Sequence, residues 1–100
     1  MNHGLRLREL RQRLQQLKPF LAEEYHVASL SLFGSYLRGE ETEASDLDVL
    51  VTFKTAPGLI KFIELENRLS DELGVRVDLV MRDALKPRIG ERILEDAVPI

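Results

Sequence analysis

Between residues 47 and 81 two short apolar runs flank one amphipathic stretch, and this order constrains the fold more than any other feature of the chain. Residues 47–53 read Leu-Asp-Val-Leu-Val-Thr-Phe, with Leu47, Val49, Val51 and Phe53 at every second position. That period places them on one face of a β-strand. Residues 75–81, Val-Arg-Val-Asp-Leu-Val-Met, alternate in the same way. Between the two, Ala56-Pro57-Gly58 marks a turn, and residues 59–73 carry Leu59, Phe62, Ile63, Leu69 and Leu73 as a helical stripe before Gly74, a suitable helix C-cap. Strand, helix and strand at this length predict a right-handed crossover between parallel neighbours.

The flanking segments add to this unit. Leu7, Leu10, Leu14, Leu17 and Leu21 recur at steps of three and four, which predicts a helix over 5–24. Pro19 is expected to kink or split it near Lys18. Residues 26–33 alternate loosely and predict a strand ending at Gly34-Ser35, and residues 35–45 predict a brief helical turn and a loop. A last helix is expected over 86–97 through Ile89, Ile93 and Ala97, with Pro87 in its first turn and Pro99 as its stop. The result is an α/β (α+β) chain, a small mixed sheet of three or more strands with helices packed mainly on one face. One hundred residues suit a single domain, 1–100.

Composition excludes several classes of function. No apolar run approaches the ~20 residues of a membrane span, and no signal-peptide pattern is present. The absence of cysteine excludes disulfides, thiolate metal sites and a cysteine nucleophile, and it suits a cytoplasmic location. A net charge of −3 and an aromatic content of 6% argue against direct nucleic-acid binding through phosphates or stacked bases.

Asp46 and Asp48 open the strand at 47–53, two residues apart, so both project from one face. Two carboxylates about 4 Å apart repel by ~4 kcal/mol at an effective dielectric of about 20. Such a pair splays, raises one pKa, or binds a cation. Asp78 lies inside the strand at 75–81 on the face of Arg76 and Val80, and approaches the pair if the two strands are neighbours. Oxygen donors without His or Cys select Mg²⁺ or Mn²⁺ over Zn²⁺. Singly, each Asp reads more simply as a turn or edge residue. Jointly they point to a site, because Asp is disfavoured in strands and two apolar strands here carry one.

Gly34-Ser35 follows a strand and precedes a helical turn. Glycine permits close backbone approach, and free N–H groups with a hydroxyl suit a phosphate. An ordinary strand-ending turn would look the same. No Walker A or G-x-G-x-x-G pattern exists, so P-loop and Rossmann sites are excluded.

Residues 34–48 read Gly-Ser-Tyr-Leu-Arg-Gly-Glu-Glu-Thr-Glu-Ala-Ser-Asp-Leu-Asp: Gly-Ser, ten residues, then Asp-x-Asp. This resembles the signature of the DNA polymerase β-type nucleotidyltransferase superfamily, and the Gly-Ser-Tyr-x-Arg-Gly-Glu opening is most similar to its minimal nucleotidyltransferase (MNT) branch. The resemblance implies the palm-like nucleotidyltransferase fold. It implies that Gly34 and Ser35 hold the β,γ-phosphates of ATP, with Arg38 contacting phosphate or bracing the loop. It further implies that Asp46 and Asp48 ligate two metal ions, and that Asp78 ligates the catalytic one and helps deprotonate an acceptor hydroxyl. The implied reaction transfers AMP from ATP to a hydroxyl, with Mg²⁺ or Mn²⁺. By the same resemblance, larger relatives carry an acceptor-binding domain that is not expected in this chain, whereas MNT antitoxins pair with a HEPN toxin and adenylylate one of its tyrosines. A hetero-oligomer with such a toxin is therefore expected. The alternatives are the catalytic subunit of a two-component small-molecule transferase and an antitoxin that acts by contact alone.

Other residues have plainer readings. Arg6, Arg8, Arg11 and Arg13 suit a solvated helix face, Arg38 a surface pair with Glu40 or Glu41, and His26 and His3 structural and terminal roles. Tyr36 either stacks on a base or packs beneath the loop.

Overall fold

The computed structural model describes residues 3–100, and the side chains of all of these except 3–5 and 89. The expected roles of His3 and Ile89 therefore fall outside the described side chains. Four helices, α1 (His3–Tyr25), α2 (Ser35–Arg38), α3 (Leu59–Leu73) and α4 (Pro87–Asp96), alternate with strands β1 (Val27–Phe33), β2 (Leu47–Phe53), β3 (Val77–Met81) and β4 (Val98–Pro99). The sheet order is β3-β2-β1-β4. β2 and β3 are parallel across α3, whereas β1 runs antiparallel to both β2 and β4.

The inner sheet face buries Val27, Leu30, Leu32, Leu47, Val49, Val51, Val77 and Leu79. Leu10, Leu14 and Leu21 of α1 and Leu65, Leu69 and Leu73 of α3 complete this core. Each such leucine contributes roughly 1.5–3 kcal/mol through its buried area. The outer face presents Ser29, Ser31, Phe33, Asp48, Leu50, Thr52, Asp78 and Val80, by the same alternation. Leu94 and Ala97, at the end of α4 and just beyond it, share a depression with Ser29, Ser31, Leu50 and Thr52 on this side.

Several local expectations are corrected. Pro19 does not divide the first helix, which is continuous from His3 to Tyr25. Pro19 is exposed, and burial of Leu14, Leu21 and Tyr25 on the opposite side anchors the helix before and after it. The loose alternation of β1 has a cause: Val27 pairs with Phe53 and Ser29 with Thr52, so Ala28 is an extra residue in a bulge. His26 does not begin the strand. It sits at φ 59°, a left-handed position that histidine tolerates better than most residues, and its carbonyl accepts the Lys54 N–H at 2.8 Å. The third strand begins at Val77, not Val75. The chain does not simply end after α4: Val98 pairs with Leu32 and Pro99 with Ser31 as a fourth strand. In α3, Leu59 and Ile63 are 74% and 47% exposed, and the buried stripe is Leu65, Leu69 and Leu73.

Candidate active site

The site forms where β1 ends beside the start of β2. Gly34 has φ 84° and ψ −157°, a region essentially restricted to glycine. This conformation turns the chain sharply into α2, where Arg38 N–H donates to the Gly34 carbonyl at 3.3 Å and Glu40 N–H to that of Ser35 at 2.9 Å. Tyr36 is buried beneath the turn and belongs to the core, so it packs and does not offer a stacking face. The loop before Asp46 is held by its own polar groups: Ser45 N–H donates to the Thr42 carbonyl at 3.0 Å and Thr42 N–H to Ser45 Oγ at 2.9 Å.

Parallel register sets Asp48 directly opposite Asp78, and antiparallel register sets it opposite Phe33. The Asp48 carboxylate lies against the Gly34 backbone, where a β-carbon on Gly34 would overlap Asp48 Oδ2. Burial, then the charges of Asp78 and Asp46, push the Asp48 carboxyl up to about 6, against a smaller lowering by Arg38. The Asp78 side chain, opposite in the register, thus favours the protonated form of Asp48. Asp46 precedes β2, with Oδ1 3.3 Å from Arg76 Nε. That contact is an ion pair by distance only, because the same buried oxygen has no hydrogen bond of acceptable geometry. Arg38 Nε donates to Glu40 Oε1 at 2.8 Å.

The strand that carries Asp78 is fastened from its open side. Glu66 Oε2 accepts the Leu79 N–H at 2.8 Å and Ser70 Oγ accepts the Val77 N–H at 3.0 Å. Ser70 Oγ in turn donates to the Glu66 carbonyl at 3.0 Å. These two α3 side chains bracket Asp78 and were invisible to motif reading. Beside the carboxylates, Phe33, Gly34 and Arg38 face Arg92, Glu95 and Asp96 of α4 across a cleft of about 530 Å³. The only hint of this wall in the sequence is the polar face of the last helix.

The structure thus brings Gly34, Asp48 and Asp78 together, with Ser35 next in the chain and Arg38 and Asp46 at the margin. Among the described residues no three His, Cys, Asp or Glu side chains lie close enough to hold a metal ion as one group. The donor chemistry nevertheless suits a hard divalent cation. Mg²⁺ typically takes one or two carboxylates and fills its shell with water and phosphate oxygens. Asp48 with Asp78 supplies two, and the unbonded Asp46 Oδ1 is a third candidate.

Comparison with known proteins gives the family and the fold. The family model of the nucleotidyltransferase domain matches residues 7–100. The protein adenylyltransferase MntA of Thermococcus cleftensis is 47% identical over 94 residues, covering 94% of this chain and 95% of that protein. A solved structure described, provisionally, as a minimal nucleotidyltransferase superposes with a TM-score of 0.75 at 34% identity, covering 100% of this chain and 97% of the other. The fold is also shared, at a TM-score of 0.61 and 20% identity, with a chain in the complex of a tri-AMPylated Shewanella oneidensis HEPN toxin and its MNT antitoxin, covering 98% of this chain and 71% of that one.

Proposed function

The chain belongs to the nucleotidyltransferase domain family, as a minimal nucleotidyltransferase homologous to MntA, and we propose that it transfers AMP from ATP to a tyrosine of a partner HEPN toxin. One observation carries the reading: Asp48 and Asp78 face each other across β2 and β3 with the Gly34 backbone pressed against Asp48. The name of the 47% identical relative favours protein over small-molecule acceptors.

In this reading the bare Gly34 and Ser35 backbone admits the polyphosphate close to the carboxylates. Asp46, Asp48 and Asp78 would hold a divalent cation such as Mg²⁺, which offsets their mutual repulsion and the charge that builds on the leaving pyrophosphate. Asp78, the most exposed of the three aspartates, is placed to take the proton of the acceptor hydroxyl. Arg76 keeps Asp46 oriented, and Glu66 and Ser70 keep Asp78 in register with Asp48. Among the described residues no helix is long and apolar enough to cross a membrane, and we place the reaction in the cytoplasm.

The test is incubation with radiolabelled ATP, Mg²⁺ and a HEPN-family toxin as the acceptor. Label is expected on a tyrosine of the partner, and an Asp46→Asn/Asp48→Asn double variant is expected to lose it. A wild-type protein that binds ATP yet leaves the partner unlabelled would refute transfer to that acceptor. One observation favours a second reading, neutralisation by contact: α3 exposes Leu59, Ile60 and Ile63, a face suited to docking. Full toxin neutralisation by the double variant would establish contact as the mechanism.

A further inference from the structure

Charge neutralisation inside the cleft is uneven. Arg38, the cation that sequence motifs single out, already has a partner in Glu40 at 2.8 Å. Arg76 is engaged with Asp46 at 3.3 Å. Arg92 stands across the cleft from Gly34 and Arg38, on α4. Glu95 and Asp96 follow it by three and four residues, the spacing at which helical ion pairs form. Even so, among the described residues Arg92 makes no ion pair and no hydrogen bond.

A triphosphate entering this cleft brings several negative charges towards Asp46, Asp48 and Asp78. Repulsion among these groups is strong where the surroundings are partly desolvated. A cation that must first leave its own carboxylate contributes less than one that is already unpaired. Guanidinium also matches phosphate with two parallel N–H donors, which an ammonium cannot do. We propose that Arg92 is the polyphosphate-binding cation of the cleft, closing on the phosphates from α4 opposite the Gly34-Ser35 turn. This assignment rests on the nucleotidyltransferase reading and adds to it a binding residue outside the signature motif.

Calorimetric titration of the full chain with ATP, AMP and adenosine, in Mg²⁺ buffer, tests it. Arg92→Ala is expected to weaken ATP binding about tenfold, AMP about twofold and adenosine not at all, the gradient expected for a charge-assisted contact to phosphate. Arg92→Lys is expected to recover part of the loss, and Arg38→Ala to lose less than Arg92→Ala. The assignment is overturned if Arg92→Ala binds ATP within twofold of wild type. It is equally overturned if adenosine and ATP weaken together, because that pattern marks a general distortion of the cleft. Wild-type protein that binds none of ATP, GTP, CTP or UTP would instead bring down the underlying reading, and with it this one.

Discussion

The carboxylate of Asp48 occupies the space that a side chain on Gly34 would fill: an added β-carbon would overlap Oδ2 and lie 2.9 Å from Cγ. Gly34→Ala therefore meets two obstacles at once, the collision and a backbone conformation that alanine resists. The strained conformation alone costs about 1–3 kcal/mol. Displacement of Asp48 by about 1 Å is expected to lower kcat by on the order of 100-fold. Thermal unfolding and nucleotide transfer, measured on the same preparation, check both. An alanine variant with wild-type kcat would show that Asp48 need not lie against this turn.

Asp48 also sets a pH dependence. Its pKa rises from an ordinary 3.8 to about 6 on folding, so the folded state binds this proton more tightly than the unfolded chain. The resulting stability is fully present below the unfolded value and is lost as pH climbs through about 6. Asp48→Asn is therefore expected to be more stable than wild type at pH 7.5 in metal-free buffer. Discounted for partial solvent exposure, the gain is on the order of 1 kcal/mol. The gain should vanish near pH 4. Melting curves in EDTA at both pH values decide it, and an equal difference at each would refute the assignment.

Glu66 and Ser70 hold β3 in place through the N–H groups on either side of Asp78. Glu66→Ala leaves the Leu79 N–H without its acceptor, at a cost of about 1–3 kcal/mol. Its kcat is expected to fall about tenfold with KM for ATP little changed, since Asp78 and not the phosphate turn is disturbed. Glu66→Gln keeps an acceptor oxygen and should restore most of both. Failure of Gln to rescue would mean that the charge, not the hydrogen bond, is what matters there.

Tyr36 tests the distinction between packing and stacking. Because it is buried in the core, Tyr36→Ala is expected to cost about 3–5 kcal/mol, as for other large aromatic truncations. Tyr36→Phe should leave both the melting temperature and ATP affinity nearly unchanged. A Phe variant with tenfold weaker ATP binding would restore a direct nucleotide contact.

The unit from β2 to β3 was legible because its periodicity changes from two to 3.6 and back, with Gly58 and Gly74 at the joints. The buried face of α3 was less so. At about 100° per residue Ile63 lies about 160° from Leu65, and β3 selects the Leu65–Leu69–Leu73 stripe over the equally apolar Leu59–Ile63 side. β4 was hidden because two residues carry no period and Pro99 reads as a breaker, although its edge position needs little from its backbone. The carboxylates could be named from spacing, but not Arg76 opposite Asp46, the α3 bracket around Asp78 or the α4 wall of the cleft. Those depend on strand register and helix placement, which no local pattern records.

The α3 bracket has a consequence beyond Asp78. β3 is one border of the sheet, and there Val77 and Leu79 direct their N–H groups to Ser70 and Glu66 instead of to a neighbouring strand. β4, the other border, is two residues long and includes a proline, which has no N–H to offer. A foreign strand finds no continuous ladder to join at either margin. Partners are therefore not expected to dock by adding a strand, and the sheet is guarded against growing by addition of its own kind.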